Sequence, residues 1–545
     1  MNKVKLNIIL IISSFIVLVA GLAVVMVVAP GADILGLKYI RATSGSIDTA
    51  KSYYVGDLLE GDIVVNSDNI LTKVNFVSSY SFTVRLVDVY NGYCKSDADP
   101  EVKMEIVDGI ITFTSNEYHP FIYHNRSENS ALYIDVPIYL KGRVSVNSKS
   151  SNVEVCGMSG SLEELAINTK GSVVVESGAR LKNLSVNVAS KKVTIDEKAE
   201  INGNVNIKSV NSNIKIACPV AGNINLEGVG GSLKFNSCDN LTVKASSTDV
   251  LSSTQTTAVV NGETIIETND DITLKPLGDV TITTKRGKVT IGEADGEFYG
   301  KINVSTKGGN IVTIGKFYSE VSLSTNSGDI SISWLKNAKI STVYGQIDAN
   351  RIDSGIINAG SSNVTVLYSA DAIKISTRGG KVVLGAKDKY FDASADIKTL
   401  AGDITVINAK GDSYTINTDY GVVNFEGTES NHAKVKITAY NGQINALNLC
   451  NETTLKCDGK INATINSRVA KTVIEGGKKE VSVRLKYPYI YTLHSAKANN
   501  IYINGEVITG DKKATESVFL SNPNYSGLDQ LTVTTKKGKI TIQDK

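Results

Sequence analysis

The stretch "TTKRGKVTI" occupies residues 283–291, and "TTKKGKITI" returns at residues 534–542. Working outward from their glycines, Gly287 and Gly538, the same pattern recurs: "STKGGNIVTI" (305–314), "STNSGDISI" (324–332), "STVYGQIDA" (341–349), "STRGGKVVL" (376–384), "TLAGDITVI" (399–407), "NTDYGVVNF" (417–425), "AYNGQINAL" (439–447) and "KCDGKINAT" (456–464). The consensus is Thr or a small residue, two variable positions, Gly, then [IV]-x-[IV]. The [IV]-x-[IV] alternation has period 2, which buries one face of a strand and leaves Lys, Asn, Thr and Asp on the other. A glycine before each strand suits a tight corner, and a backbone at φ > 0 would explain it there. Each unit is therefore strand, corner, strand, and it cannot bury its face alone.

The corner glycines are Gly287, Gly309, Gly328, Gly345, Gly380, Gly402, Gly421, Gly442 and Gly459, mostly 17 to 22 residues apart. The one double step, from Gly345 to Gly380, contains "NAGSSNVTV" with Ser362 at the corner position. That period is too short for a propeller blade and matches one coil of a parallel β-solenoid. An antiparallel meander also fits period-2 strands. The solenoid is preferred because the same corner recurs in every period and not in every second one. Expected fold class: all-β, a parallel β-solenoid or β-helix preceded by one N-terminal transmembrane helix.

The transmembrane expectation comes from the first thirty residues. "MNKVK" is followed by an apolar run from Leu6 to Ala29. As a helix, 24 residues span about 36 Å, enough to cross a hydrocarbon core of about 30 Å. An uncleaved signal anchor is the first reading; a cleaved signal with "APGAD" as its exit, or a buried helix, are the others. Lys38 and Arg41 follow the run closely, so the positive-inside bias is nearly balanced. The short head still favours an extracytoplasmic body. The bilayer, met through residues 6–29, is thus one expected partner.

The remaining composition excludes more than it assigns. Net charge is +2, with 57 basic and 55 acidic residues, so no basic field marks a nucleic-acid binder. Cys94, Cys156, Cys218, Cys238, Cys450 and Cys457 contain no C-x-x-C pair, which argues against a zinc site. Cys218 and Cys238 lie one period apart, so adjacent coils would allow a disulfide between them, and buried free thiols are the other reading. His119 and His124 in "HPFIYH" fall on opposite faces of a strand, while His432 and His494 stand alone. Asp329 and Asp403 follow corner glycines, and Asp270 and Asp271 sit together. Next to turns, such carboxylates more often bind backbone than metal or sugar. Lysines at the corners read as solvated edge guards. No catalytic, cofactor or metal residue is assigned.

Two "N-G-E" stretches, at 259–265 and 502–508, precede the two opening nonapeptides. This suggests two tandem blocks, each closed by a hairpin and a terminal coil: 131–294 and 295–545, after a head and anchor at 1–30 and a small β cap at 31–130. The entry "ALYIDVPIYLKGRVSVNSKSSNVEV" (131–155) and the repeated corners resemble the bacterial β-strand-repeat family labelled "putative adhesin". That family is of unknown function and related to auto-transporter-adhesin head domains. The resemblance covers roughly 131–545 and implies a right-handed β-helix, often membrane-anchored, with no catalytic residues to carry over. The expected function is a membrane-anchored, extracytoplasmic, adhesin-like or structural surface protein. It would be non-catalytic and bind cell-wall or host glycan or protein multivalently through repeated outward faces. A β-helix polysaccharide lyase or glycosidase, and an envelope sensor or scaffold, are the alternatives.

Overall fold

The structure, a computed structural model, describes residues 41–544 except 56–59, 95–100, 117–119, 159, 247–248, 253–258, 430–431, 467–470, 488, 498–499, 509–516 and 521–529; it also describes 14 and 16–18. Among the described residues no helix is long and apolar enough to cross a membrane. The expected span at 6–29 lies outside them apart from residues 14 and 16–18.

The body is a parallel β-solenoid of about 16 turns. Its core follows from the [IV]-x-[IV] pattern. Ile272 pairs in register with Val289, which pairs with Ile311, then Ile330, Ile347 and Val364, one residue per coil. All six are 0% exposed. Burying each such side chain contributes about 1.5–3 kcal/mol, which a single coil could not collect without neighbours.

The corner glycines behave differently from expectation. None of Gly287, Gly309, Gly328, Gly345, Gly380, Gly402, Gly421, Gly442, Gly459 or Gly538 takes a positive φ. They are glycines because successive corners touch. A Cβ on Gly309 would lie 1.8 Å from the Gly287 carbonyl oxygen, and one on Gly345 1.7 Å from that of Gly328. At several corners a threonine three residues earlier closes the turn: the amides of Gly287, Gly328 and Gly345 donate to Thr284, Thr325 and Thr342 Oγ1, each at 3.0 Å. That contact accounts for the Thr-x-x-Gly spacing.

The chain divides into two compact units, Met1–Asn236 and Ser237–Lys545. The division therefore falls well before the expected boundary at 294/295. The ladder runs straight through that boundary, since Val280–Thr284 pairs with Ile302–Thr306 and Val289–Phe298 with Ile311–Thr325. "TTKRGKVTI" is an internal coil and closes nothing. The two N-G-E stretches also differ. Asn504 and Gly505 turn a true hairpin, both at positive φ, between Ile501–Ile503 and Glu506–Val507. Around Asn261, by contrast, Val259–Val260 and Thr264–Thr268 each pair in parallel with other coils.

In the first unit, solenoid pairing begins at residue 60 and not at 131. Glu60–Ser67 pairs in parallel with Lys141–Ser148 on one edge and Ile110–Asn116 on the other. Thr72–Val77 likewise lies between Val153–Cys156 and Ala131–Pro137. The first coil in sequence is thus second in space. Antiparallel strands cover the outer edge: Ser81–Cys94 lies on Ala131–Pro137, Arg41–Tyr54 on Ser81–Cys94, and Glu101–Val107 on Ile110–Asn116. These strands manage the open edge that a solenoid otherwise presents. The segment expected as a cap thus also holds coil strands, Glu60–Ser67 and Thr72–Val77.

Candidate binding face

Each coil of the second unit leaves its corners and one strand face outward, and at one register position those outward residues are aromatic and charged. Glu297 pairs with Lys316, Lys316 with Trp334, Trp334 with Arg351, and Arg351 with Tyr368. Four steps of about 4.8 Å make a column some ~19 Å long. Tyr299 and Tyr318 flank it, stacked at 5.0 Å and 8°. Tyr318 meets Trp334 edge-on at 4.8 Å and 88°. The Arg351 guanidinium lies 5.0 Å from the Trp334 ring and 4.7 Å from the Tyr368 ring.

Polar contacts fix this column. Asp353, buried, accepts from Arg351 Nε at 2.5 Å and Nη2 at 3.1 Å, and from Trp334 Nε1 at 3.1 Å. That carboxylate pushes the Arg351 pKa still higher. At the other end Glu297 accepts from Lys316 Nζ at 3.2 Å, Tyr318 OH at 3.1 Å and Tyr299 OH at 3.2 Å. Those donors, Lys316 first, hold its carboxyl below the usual range. The same carboxylate pushes the Tyr299 phenol up. The result is a rigid strip with apolar rings and fixed charges side by side. Tyr299 stays 63% exposed at its end.

On the strand face that follows the strip lies a groove of 590 Å³ whose lining includes Asn337, Lys339, Ser354, Lys374 and Asp396. Its charges are paired across coils. Lys339 Nζ donates to Glu320 at 2.7 Å, and Lys374 lies 3.9 Å from Asp396. A glycosidase needs two carboxylates poised on either side of a bond. Of the acids here, Glu320 and Asp396 each lie beside a lysine.

Asp271, Asp329 and Asp403 accept the amides of Lys288, Gln346 and Val422, one coil on, at 2.7, 2.8 and 2.8 Å. Lys536 Nζ pairs with Asp458 at 3.3 Å. His432 and His494 lie on separate coils, His119 is outside the described residues, and His124 lies on Pro120–Arg126. Among the described residues no three His, Cys, Asp or Glu side chains gather as metal ligands. Cys218 and Cys238 are buried thiols, so the disulfide considered between them is not formed. Burial pushes the Cys218 thiol up to about 11. Reading for residues close in sequence does not bring the aromatic column together. Tyr299, Tyr318, Trp334, Arg351 and Tyr368 are instead separated by 19, 16, 17 and 17 residues, the coil period itself.

No curated protein matches the chain. Among solved structures it is similar to a putative cell adhesion protein from Clostridium sporogenes, with 11% identity, 37% of this chain and 100% of that one covered, and a TM-score of 0.24. A putative adhesin from Parabacteroides merdae shares 12% identity over 66% of this chain and 95% of its own, with a TM-score of 0.17. One from Parabacteroides distasonis shares 13% over 67% and 95%, with a TM-score of 0.14. The sequence profile described as Toastrack DUF4097 matches residues 238–446, which contain the whole aromatic column.

Proposed function

We propose that the chain is a membrane-anchored, extracytoplasmic, adhesin-like protein that binds without catalysis. Its ligand would be a cell-wall or host glycan or protein surface, engaged by outward faces of the solenoid. The column Glu297–Lys316–Trp334–Arg351–Tyr368 carries this reading. Aromatic rings beside fixed hydrogen-bonding charges suit a ligand with both apolar C–H faces and hydroxyl or amide groups. The groove alongside adds length to the surface a ligand could follow. Repetition favours many weak contacts, and display of several chains on one surface raises their joint strength through effective concentration. Anchoring rests on the apolar run from Leu6 to Ala29.

The test is binding of the full chain, reconstituted in lipid nanodiscs, to arrays of glycans and matrix proteins, as wild type and as Trp334→Ala. The expected result is retention of a defined ligand set by wild type and its loss by the variant. Binding that survives the substitution would move the site off this column. Turnover of an arrayed polysaccharide would favour the enzyme reading. For topology, protease added to intact cells should remove a C-terminal tag, and a protected tag would exclude surface display.

A further inference from the structure

The last coil of the sequence is not the last coil of the solenoid. Gln530–Thr535 pairs with Thr472–Gly476 on one edge and with Ile490–Ser495 on the other. Ile540–Gln543 pairs with Val481–Leu485 and with Ile501–Ile503 in the same way. Among the described strands, the coils 472–485 and 490–503 have no ladder with each other. The coil 530–543 fills the slot between them, and antiparallel Ser517–Leu520 and Glu506–Val507 cover the far side.

We propose that coils 472–485 and 490–503 form a strand-acceptor slot, and that residues 530–543 of a second copy of this chain can occupy it in place of the chain's own. Apart from the exposed Lys536–Asp458 pair, the contacts that hold the occupant lie between the slot and residues 530–543. Leu531, Val533, Ile540 and Ile542 are each 0% exposed, so the inserted strands fill the core. Main-chain bonds run on both sides: Val481 N donates to Lys539 O at 2.8 Å, and Ile540 N to Asn500 O at 2.9 Å. Lys539 Nζ sits 3.9 Å over the Tyr502 ring. Thr541 Oγ1 donates to Glu480 at 3.1 Å. None of these contacts depends on the covalent connection through 508–529, and strand addition of this kind is a general mode of recognition.

The slot also selects. A Cβ on Gly538 would stand 1.9 Å from the Lys479 carbonyl oxygen. An occupant therefore needs glycine there, a small hydroxyl residue three before it, and β-branched residues two and four after. A second copy satisfies this by definition, and the internal nonapeptide 283–291 satisfies it too.

The test uses the full chain with a protease site inserted between Gly510 and Asp511. After cleavage, a fluorescent synthetic peptide of residues 524–545 is added and anisotropy is followed, while mass spectrometry follows the resident segment. The expected result is one-for-one exchange of label for resident segment. An unlabelled peptide of residues 276–292 should compete within about tenfold of the parent peptide. A Gly538→Val peptide should bind about a hundredfold more weakly. Two differently tagged intact copies, held near the unfolding midpoint and returned to native conditions, should yield mixed dimers that deletion of residues 530–545 abolishes. Retention of the resident segment with no uptake of label, or equal binding of the Gly538→Val peptide, would overturn the proposal.

Discussion

Replacing Asp353 with alanine should loosen the aromatic column from its coil. The carboxylate is buried and receives three donors, two from Arg351 and one from the Trp334 indole. Removing one partner of a fully buried ion pair costs about 3–5 kcal/mol, because the other charge stays desolvated. Here the Arg351 side chain is 38% exposed against 9% for Asp353, so water recovers part of its hydration. The expected loss is then about 2–3 kcal/mol. Asparagine keeps an acceptor for the indole N–H and gives up the charge-assisted part, for about 1–2 kcal/mol. Trp334 is the sole tryptophan, so urea unfolding followed by its emission reports these coils and not distant ones. Local reporting matters because coils of a solenoid need not unfold together. The alanine variant should lower the midpoint and shift native emission to the red, with asparagine in between. An unchanged midpoint and an unchanged emission maximum in the alanine variant would refute the role given to this carboxylate.

Three further outcomes follow from the corners and the thiols. Gly402→Ala places a Cβ 1.9 Å from the Gly380 carbonyl oxygen, whereas one on Gly379 meets nothing within 4 Å. Circular-dichroism melts should show a loss of about 3 kcal/mol for the first and under about 0.5 kcal/mol for Gly379→Ala. Thr418→Val leaves the Gly421 amide without the hydroxyl it donates to at 2.9 Å. It should cost about 1–3 kcal/mol, and Thr418→Ser, which keeps the oxygen, clearly less. Burial first, and the Glu176 carboxylate second, push the Cys156 thiol up to about 12. A raised thiol pKa means the neutral, unreactive form persists well above the usual titration range. Alkylation of the native chain at Cys156 should therefore be slow at pH 8 and still rise about tenfold per pH unit at pH 10. A rate that levels off near pH 9 would contradict that environment.

The repeat was legible because solenoid coils are local instructions. Val289, Ile311 and Ile330 each sit two residues after a corner position, and strand, corner and strand follow from that alone. The reason for glycine was not legible. Close stacking and a left-handed backbone both demand Gly, and only the neighbouring Gly287 carbonyl under Gly309 tells them apart. The end coils were hidden for a similar cause. Periodicity identifies a coil but not its neighbours, so "TTKRGKVTI" and "TTKKGKITI" read alike. The first continues a run, while the second is inserted behind a coil that precedes it. In the same way, Glu60–Ser67 gave no sign that its partners lie 48 and 81 residues onward, as in Asn66 opposite Thr114 and Asn147. The Trp334 column could have been found by aligning outward residues at the coil period. Its buried anchor Asp353 could not, since its exposure depends on how the corner bends.

A ligand bound at the column proposed above would touch Trp334, whose emission then reports the contact. Titrating the full chain with a ligand recovered from the arrays, while recording Trp334 emission, tests it most directly. The expected result is a saturable change in emission whose midpoint equals the binding constant measured independently, abolished when Arg351 is replaced by alanine. Saturable binding with constant Trp334 emission, and with Arg351→Ala indistinguishable from wild type, would contradict it.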